Sequence, residues 1–351
     1  MYRKRIYFYK CRFRIFALCS LLFALYGLPA NAYEYNRERI GLRLNGFGTI
    51  GSLMFRDETG YVVGDFRLRG QVNYAVKRGW TTGVVVSADR LSFDTHHYVR
   101  DLFAFVESPW GRVELGQTDS ISTKLGVGLP DVGGLRINDY PIPYDAIKPY
   151  GPAIAFPAVI GTHYALRANI VSVPTKPLQF GVSATPWSHT FRYAADAGLK
   201  YRLPHGKTKV ALSAGAMFID APHGMIGDIY APRVYADWRA QLSGGLNLQY
   251  NSWNFGTFIR GIYDQDPIGV PSDGLVAGTG ISYDIMKFSI SASYIASETG
   301  IFHDGEHFLN HAGILSGRYK FNEWVDVWIS AGATFTDTTQ PFVSGGIRGT
   351  F

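Results

Sequence analysis

Polar and apolar side chains alternate strictly along several stretches of the chain. In Asp65–Val76 one set reads Asp65, Arg67, Arg69, Gln71, Asn73 and the other Phe66, Leu68, Gly70, Val72, Tyr74, Val76. Ala236–Tyr250 sets Asp237, Arg239, Gln241, Ser243, Asn247 and Gln249 against Trp238, Ala240, Leu242, Leu246, Leu248 and Tyr250. Arg192–Arg202 sets Arg192, Asp196, Lys200 and Arg202 against Tyr193, Ala195, Ala197, Leu199 and Tyr201, and Lys287–Tyr294 sets three serines against Phe288, Ile290 and Tyr294. Side chains on a strand alternate between faces, so each stretch is a strand with one polar and one apolar surface. The pattern predicts strands at 40–54, 61–76, 80–91, 97–107, 112–118, 159–167, 178–185 and 190–202. It predicts eight more at 208–219, 235–250, 253–264, 275–283, 287–298, 308–320, 325–337 and 342–351.

These strands exceed the usual five or six residues and match the ~9–11 that a tilted membrane strand needs. In a soluble sandwich the apolar faces meet one another; in a membrane barrel they meet lipid and the polar faces line water. A charge on the lipid face near the midplane costs roughly 2–4 kcal/mol. Arg67, Arg69, Arg192, Lys200 and Arg239 therefore belong on the inner face. The expected fold is all-β, a transmembrane antiparallel β-barrel of about sixteen strands.

Connection lengths alternate in the way such a barrel requires. Short turns follow the even strands, as at Lys77-Arg78-Gly79, Ser108–Gly111, Pro204–Lys207, Asn251-Ser252 and Asn322–Trp324, and longer connections such as 119–158 and 220–234 follow odd ones. The segment 168–177 reads as an unusually long turn. Trp80, Trp110, Tyr250, Trp253, Tyr283, Phe288, Tyr319, Phe321 and Trp324 bracket the short turns, as rings at the headgroup level of one membrane interface would.

The amino terminus has a different character. Residues 1–14 carry six basic residues and no acid, Ile15–Gly27 is apolar, and small residues lead to Ala32. This order predicts a secretory signal peptide over 1–32, cleaved after Ala32, and a barrel over 33–351. An apolar run this short does not span a bilayer that needs roughly 20 residues. Without the leader, 28 of the 34 basic residues remain against 28 acids, so the basic balance belongs to the leader. No nucleic-acid partner is expected. Cys11 and Cys19 leave with the leader, so no disulfide is expected. Mean hydropathy is −0.01, and no run after Ala32 suits a transmembrane helix. The segment Phe302–His307 with His311 has ligand chemistry but nothing to orient it, and no Gly-x-Ser-x-Gly elbow occurs. No metal, cofactor or enzymatic activity is expected.

Arg100–Ser120 (RDLFAFVESPWGRVELGQTDS) resembles the fourth and fifth strands of the trimeric, sixteen-stranded general porins of Gram-negative bacteria. Residues 66–80 resemble that family's second strand and turn, and Phe342–Phe351 its closing strand. The resemblance implies a homotrimer in the outer membrane, in contact with lipid and lipopolysaccharide, with Phe351 read by the β-barrel assembly machinery. It implies that the connection after the fifth strand, about 119–158, folds inward as a constriction loop bearing Asp119, Lys124, Asp131, Arg136, Asp139, Asp145 and Lys148. It also implies a facing basic wall at Arg67 and Arg69, with Arg90 and Arg100 as further candidates. This loop departs from the family in its many prolines.

The function implied is a water-filled channel for passive diffusion of small hydrophilic solutes and ions, with a transverse field between acids and bases across the constriction. A substrate-selective channel and a non-conducting barrel serving as a surface adhesin are the alternatives.

Overall fold

The computed structural model describes residues 33–37, 39–55, 61–76, 79–91, 99–130, 132, 166–173, 177–186, 193–220, 238–265, 271–300, 307–335 and 339–351. The strands in the first half are β1 (Tyr33–Arg37), β2 (Ile40–Phe55), β3 (Tyr61–Ala75), β4 (Thr81–Leu91), β5 (Val99–Glu107), β6 (Gly111–Gln117), β7 (Leu166–Ser172) and β8 (Leu178–Thr185). They continue as β9 (Tyr193–His205), β10 (Thr208–Asp220), β11 (Trp238–Tyr250), β12 (Trp253–Gln265) and β13 (Pro271–Ile285). The last are β14 (Phe288–Gly300), β15 (His307–Lys320), β16 (Val325–Phe335) and β17 (Thr339–Thr350). One short helix, α1 (Ile121–Leu125), follows β6.

Strands β2 to β17 each pair antiparallel with their chain neighbours, and β17 pairs with β2 over Phe342–Thr350 and Phe47–Phe55, closing the barrel. These are the sixteen predicted strands. The extra strand β1 pairs with Ile40–Leu44, on the part of β2 that β17 does not reach. Phe351 continues β17, exchanging both backbone hydrogen bonds with Gly46. β17 and β1 thus follow one another along a single edge of β2, which leaves little of that edge unpaired.

The sixth barrel strand differs from expectation. It is β7, Leu166–Ser172, which pairs with β6 from Gly111↔Ser172 to Gln117↔Leu166. Half of the stretch read as a long turn, 168–172, is therefore strand. Leu166 and Ile170 face out while Arg167 and Asn169 are buried on the inner side, a period-two pattern that breaks at Val171 and Ser172. Of the segment 159–167, residues 159–165 lie outside the described residues. The remaining connection to β8, 173–177, is then short like the others at its end.

The two faces separate as the alternation requires. Leu242, Leu315 and Ile329 are each more than 60% exposed, whereas Arg239, Gln241, Asp196 and Ser330 are buried on the other side. Apolar outside and polar inside is the inverse of a soluble barrel and the signature of a lipid-facing one. No helix among the described residues is long and apolar enough to cross a membrane.

The two-residue turns among the described residues lie at one end. Gly206, Asn251 and Met286 open two-residue turns with φ of 58°, 49° and 52°, the left-handed conformation that lets a tight hairpin follow the strand twist. Around this end Trp253 packs on Tyr283 at 4.3 Å and Phe288 on Tyr319 at 4.6 Å. A second aromatic run, not anticipated, lies at the other end: Tyr193, Phe218, Trp238 and Tyr263 stack on successive outward positions of β9 to β12. Two girdles mark two membrane interfaces.

Candidate channel lining and inward loop

The chain leaving β6 turns to the inner face and stays against it from Thr118 to Val132. Ser120 caps α1, its hydroxyl accepting from the Thr123 amide. Wall residues supply the anchors. The Ser122 amide donates to Asp196 Oδ1 at 2.7 Å, and the same carboxylate accepts from Ser183. Arg167 donates to the Thr118 carbonyl at 2.7 Å and to Thr185 Oγ1 at 3.0 Å. Asn169 donates to the Asp119 carbonyl and to Glu114, both at 3.0 Å.

The loop's path is set by small residues on the wall. A Cβ at Gly181, Gly198, Gly215, Gly245, Gly256 or Gly280 would meet loop atoms, from Ile121 through Ser122 and Val127 to Pro130. Gly181, Gly198 and Gly215 stand directly opposite one another on β8, β9 and β10. Beyond them the contact steps two residues toward the turn end at β11 and again at β12. It ends on β14, where Ser293 Oγ donates to the Pro130 carbonyl and Ser291 Oγ accepts from the Val132 amide. A segment running level across tilted strands must shift register in this way.

Continuing the same stepping past β14, the level meets Arg318 on β15, Arg348 on β17, and Arg67 and Arg69 on β3. Arg67 lies 5.7 Å from the Phe47 ring, and Arg348 pairs with Asp326 at 2.9 Å. Arg318 donates to Ser289 at 3.2 Å. Basic residues therefore occupy the stretch of wall, from β15 round to β3, that the described loop residues do not contact.

The residues singled out from the sequence fall into distinct groups. Arg67, Arg69 and Arg239 occupy inward positions, as does Lys200, opposite the buried Gln179 and Ser213. Arg90 pairs with Phe66 one residue from the end of β4, and its side chain lies outside the described residues. Arg100 is skipped at the β-bulge where Ser87 pairs with Asp101 and Ala88 with Val99, so simple alternation could not fix its facing. Arg192, Asp131, Arg136, Asp139, Asp145 and Lys148 lie outside the described residues. His311 accepts or shares a proton with the Tyr294 hydroxyl at 2.5 Å, stacked on that ring.

Lys124 is placed differently from expectation. Its ammonium is held by Glu114 and Thr118 Oγ1 and lies 5.0 Å from the Phe103 ring. Burial lowers its pKa, against the opposing pull of the Glu114, Asp119 and Asp101 carboxylates. At the root of the loop the expected polarity is thus inverted, with wall acids holding a loop cation. Glu114 also meets Arg112 at 3.1 Å, and that guanidinium sits 3.8 Å over the Phe105 ring. Glu114, Asn169 and Arg167 were not singled out from the sequence, and Asp196 entered only as a member of a polar face. Their signal was present in the alternation with Val113, Leu115, Ile170 and Ala195, but alternation reports a face and not a partner.

A further row was invisible to any one-strand pattern. Ser282, Ser291, Ser316, Ser330 and Ser344 stand directly opposite one another across β13 to β17, all buried on the inner wall. Ser316 and Ser330 share a hydrogen bond of 2.8 Å.

Known proteins share this architecture. The folded OmpT of Vibrio cholerae in its trimer form superposes with a TM-score of 0.67 at 13% identity, covering 90% of this chain and all of that one. An anion-selective porin from Comamonas acidovorans matches with a TM-score of 0.62 at 11% identity over 89% of this chain and all of its own. OmpF of Salmonella typhi in complex with daunomycin gives 0.62 at 12% identity over 91% and 100%. A comparison with curated protein sequences found no match. The family model described as Gram-negative porin matches residues 34–339. With that match spanning nearly all of the barrel, the chain belongs to the Gram-negative porin family.

Proposed function

We propose that the protein is a general diffusion channel: a water-filled pore through which small hydrophilic solutes and ions pass passively, narrowed by the loop docked along its wall. The observation that carries this reading is the inner face, where a loop anchored by Asp196, Arg167 and Asn169 shares a polar wall with Arg318, Arg348, Arg67 and Arg69. Polar and charged walls allow solutes to cross with their hydration intact, and fixed charges at a narrow point bias which ion passes. Export with removal of residues 1–32, insertion by the assembly machinery through Phe351, and a homotrimeric state belong to the same reading. The V. cholerae relative in trimer form supports the last. An intact mass beginning at Tyr33 checks the processing.

The decisive experiment is reconstitution of the purified protein in a planar bilayer. Ohmic conductance arriving in threes is expected, and Arg67→Ala or Arg69→Ala should move the reversal potential in a salt gradient toward cation preference. An unchanged reversal potential removes these arginines from the narrow part of the pore. Block by one solute at low concentration would indicate a substrate-selective channel, and no conductance at all would overturn the channel reading.

A further inference from the structure

The turn end of the pore holds a recess that none of the described loop residues lines. It has a volume of about 860 Å³ and lies between the turn Met286-Lys287, the turn Phe321–Trp324 and the last inward residues of β15, β16 and β17. Sites for small ligands typically measure ~300–1,000 Å³. Four cations line it, Lys287, Arg318, Lys320 and Arg348, against two carboxylates, Glu323 and Asp326.

The arrangement leaves a cationic surplus. Lys320 stands directly opposite Asp326, which stands directly opposite Arg348, so one carboxylate separates two cations. Asp326 Oδ2 is already committed to Arg348, at 2.9 and 3.1 Å. Lys287 gives one hydrogen bond to the Phe321 carbonyl at 3.3 Å and is otherwise exposed, as is Lys320. Asp284, on β13, accepts from Ser289 at 2.5 Å. Among the described inward residues of β14 to β17, Asp326 is the only acid; serine hydroxyls and Trp328 fill the adjoining rows.

We propose that this recess is a weak binding site for small solutes carrying a carboxylate or phosphate group, placed at the turn end of the pore and separate from the loop constriction. The proposal rests on the channel reading. Exposed ammonium groups act within a Debye length of ~8 Å at physiological salt, which suits a site that gathers oxyanions without retaining them, as conduction requires. Lys287 and Lys320 are the residues that distinguish it, since Arg318 and Arg348 also border the loop's level. A fixed charge cluster at one mouth makes the pore asymmetric toward anions.

The test uses the full-length protein in a planar bilayer. Orientation is read from Asn322→Cys labelled with a membrane-impermeant maleimide. Citrate and inorganic phosphate are added separately to each side. Block is expected at a concentration about threefold lower from the turn side, the scale of an exposed charge interaction. Lys287→Gln/Lys320→Gln should abolish that difference while leaving the potassium chloride conductance within a factor of about two. Glu323→Gln, a change at an exposed turn residue, should enlarge the difference and does not depend on the double variant folding. Sided block by one probe alone narrows the class to that group. Equal block from both sides, or sided block that neither set of changes alters, overturns the proposal. A protein without conductance would instead defeat the channel reading itself.

Discussion

Glu114 gathers three polar partners at the root of the loop. Its buried carboxylate holds Lys124, accepts from Asn169 and meets Arg112. Removing one member of a buried ion pair costs ~3–5 kcal/mol because the other charge stays buried. Lys124 keeps 25% of its side chain exposed, which lowers the expected cost to about 2–3 kcal/mol. Glu114→Gln should therefore lower the thermal unfolding midpoint of the detergent-solubilised protein and add current noise as the loop loosens. An unchanged midpoint with quiet channels would show that Asn169 and Arg167 hold the loop unaided. Glu114 and Lys124 are both plain in the sequence, and Lys124 was assigned to the loop. Their pairing was not legible, because it depends on the chain reversing direction at Thr118 and crossing to the inner face.

At the scale of elements, the inward loop depends on what the wall lacks. A Cβ at Gly198 would lie 2.9 Å from the Ile121 carbonyl oxygen, too close for any side chain unless α1 moves. Gly198→Val should push α1 off the wall and into the lumen, lowering single-channel conductance measurably, by a third or more if the loop sets the narrowest cross-section. Gly261 faces open space, so Gly261→Val should leave conductance unchanged. Equal conductance in wild type and Gly198→Val would mean that the loop does not narrow the pore. The strands themselves were readable one at a time, most within a few residues of their observed ends, because period two needs only local sequence. β7 was legible only in part, because Val171 falls in the inward row and Ser172 in the outward one, so Leu166–Ser172 lacked contrast. The glycines were visible as residues but not as a path, since Gly181, Gly198 and Gly215 become neighbours only when three strands pair.

For the whole molecule, closure and the surrounding lipid impose the strongest constraint. A closed sheet buried in hydrocarbon satisfies its backbone hydrogen bonds between strands and exposes no edge. The outward face must then be apolar throughout. Leu242, 68% exposed on β11 with aromatic girdles toward both strand ends, lies near mid-height. Leu242→Arg should destabilise the barrel by roughly 2–4 kcal/mol, read as a shift in the denaturant midpoint for folding into lipid vesicles. A shift well below 1 kcal/mol would place this face against protein, as in an oligomer contact, or against water.

The amino-acid sequence by itself determined the class of the fold, the inner and outer faces, the strand number and the end where short turns lie. Each of these is written in local alternation and in the spacing of turn residues, which a single strand expresses before it meets any other. Tertiary structure alone decided the partners: Glu114 with Lys124, Asp196 with the amide of α1, the row of five serines, and the placing of Arg318 and Arg348 beside Arg67 and Arg69. It also decided that β1 completes the edge left by β17. These depend on register between strands distant in the chain and on barrel tilt, and a one-residue slip at any pairing would have exchanged every face.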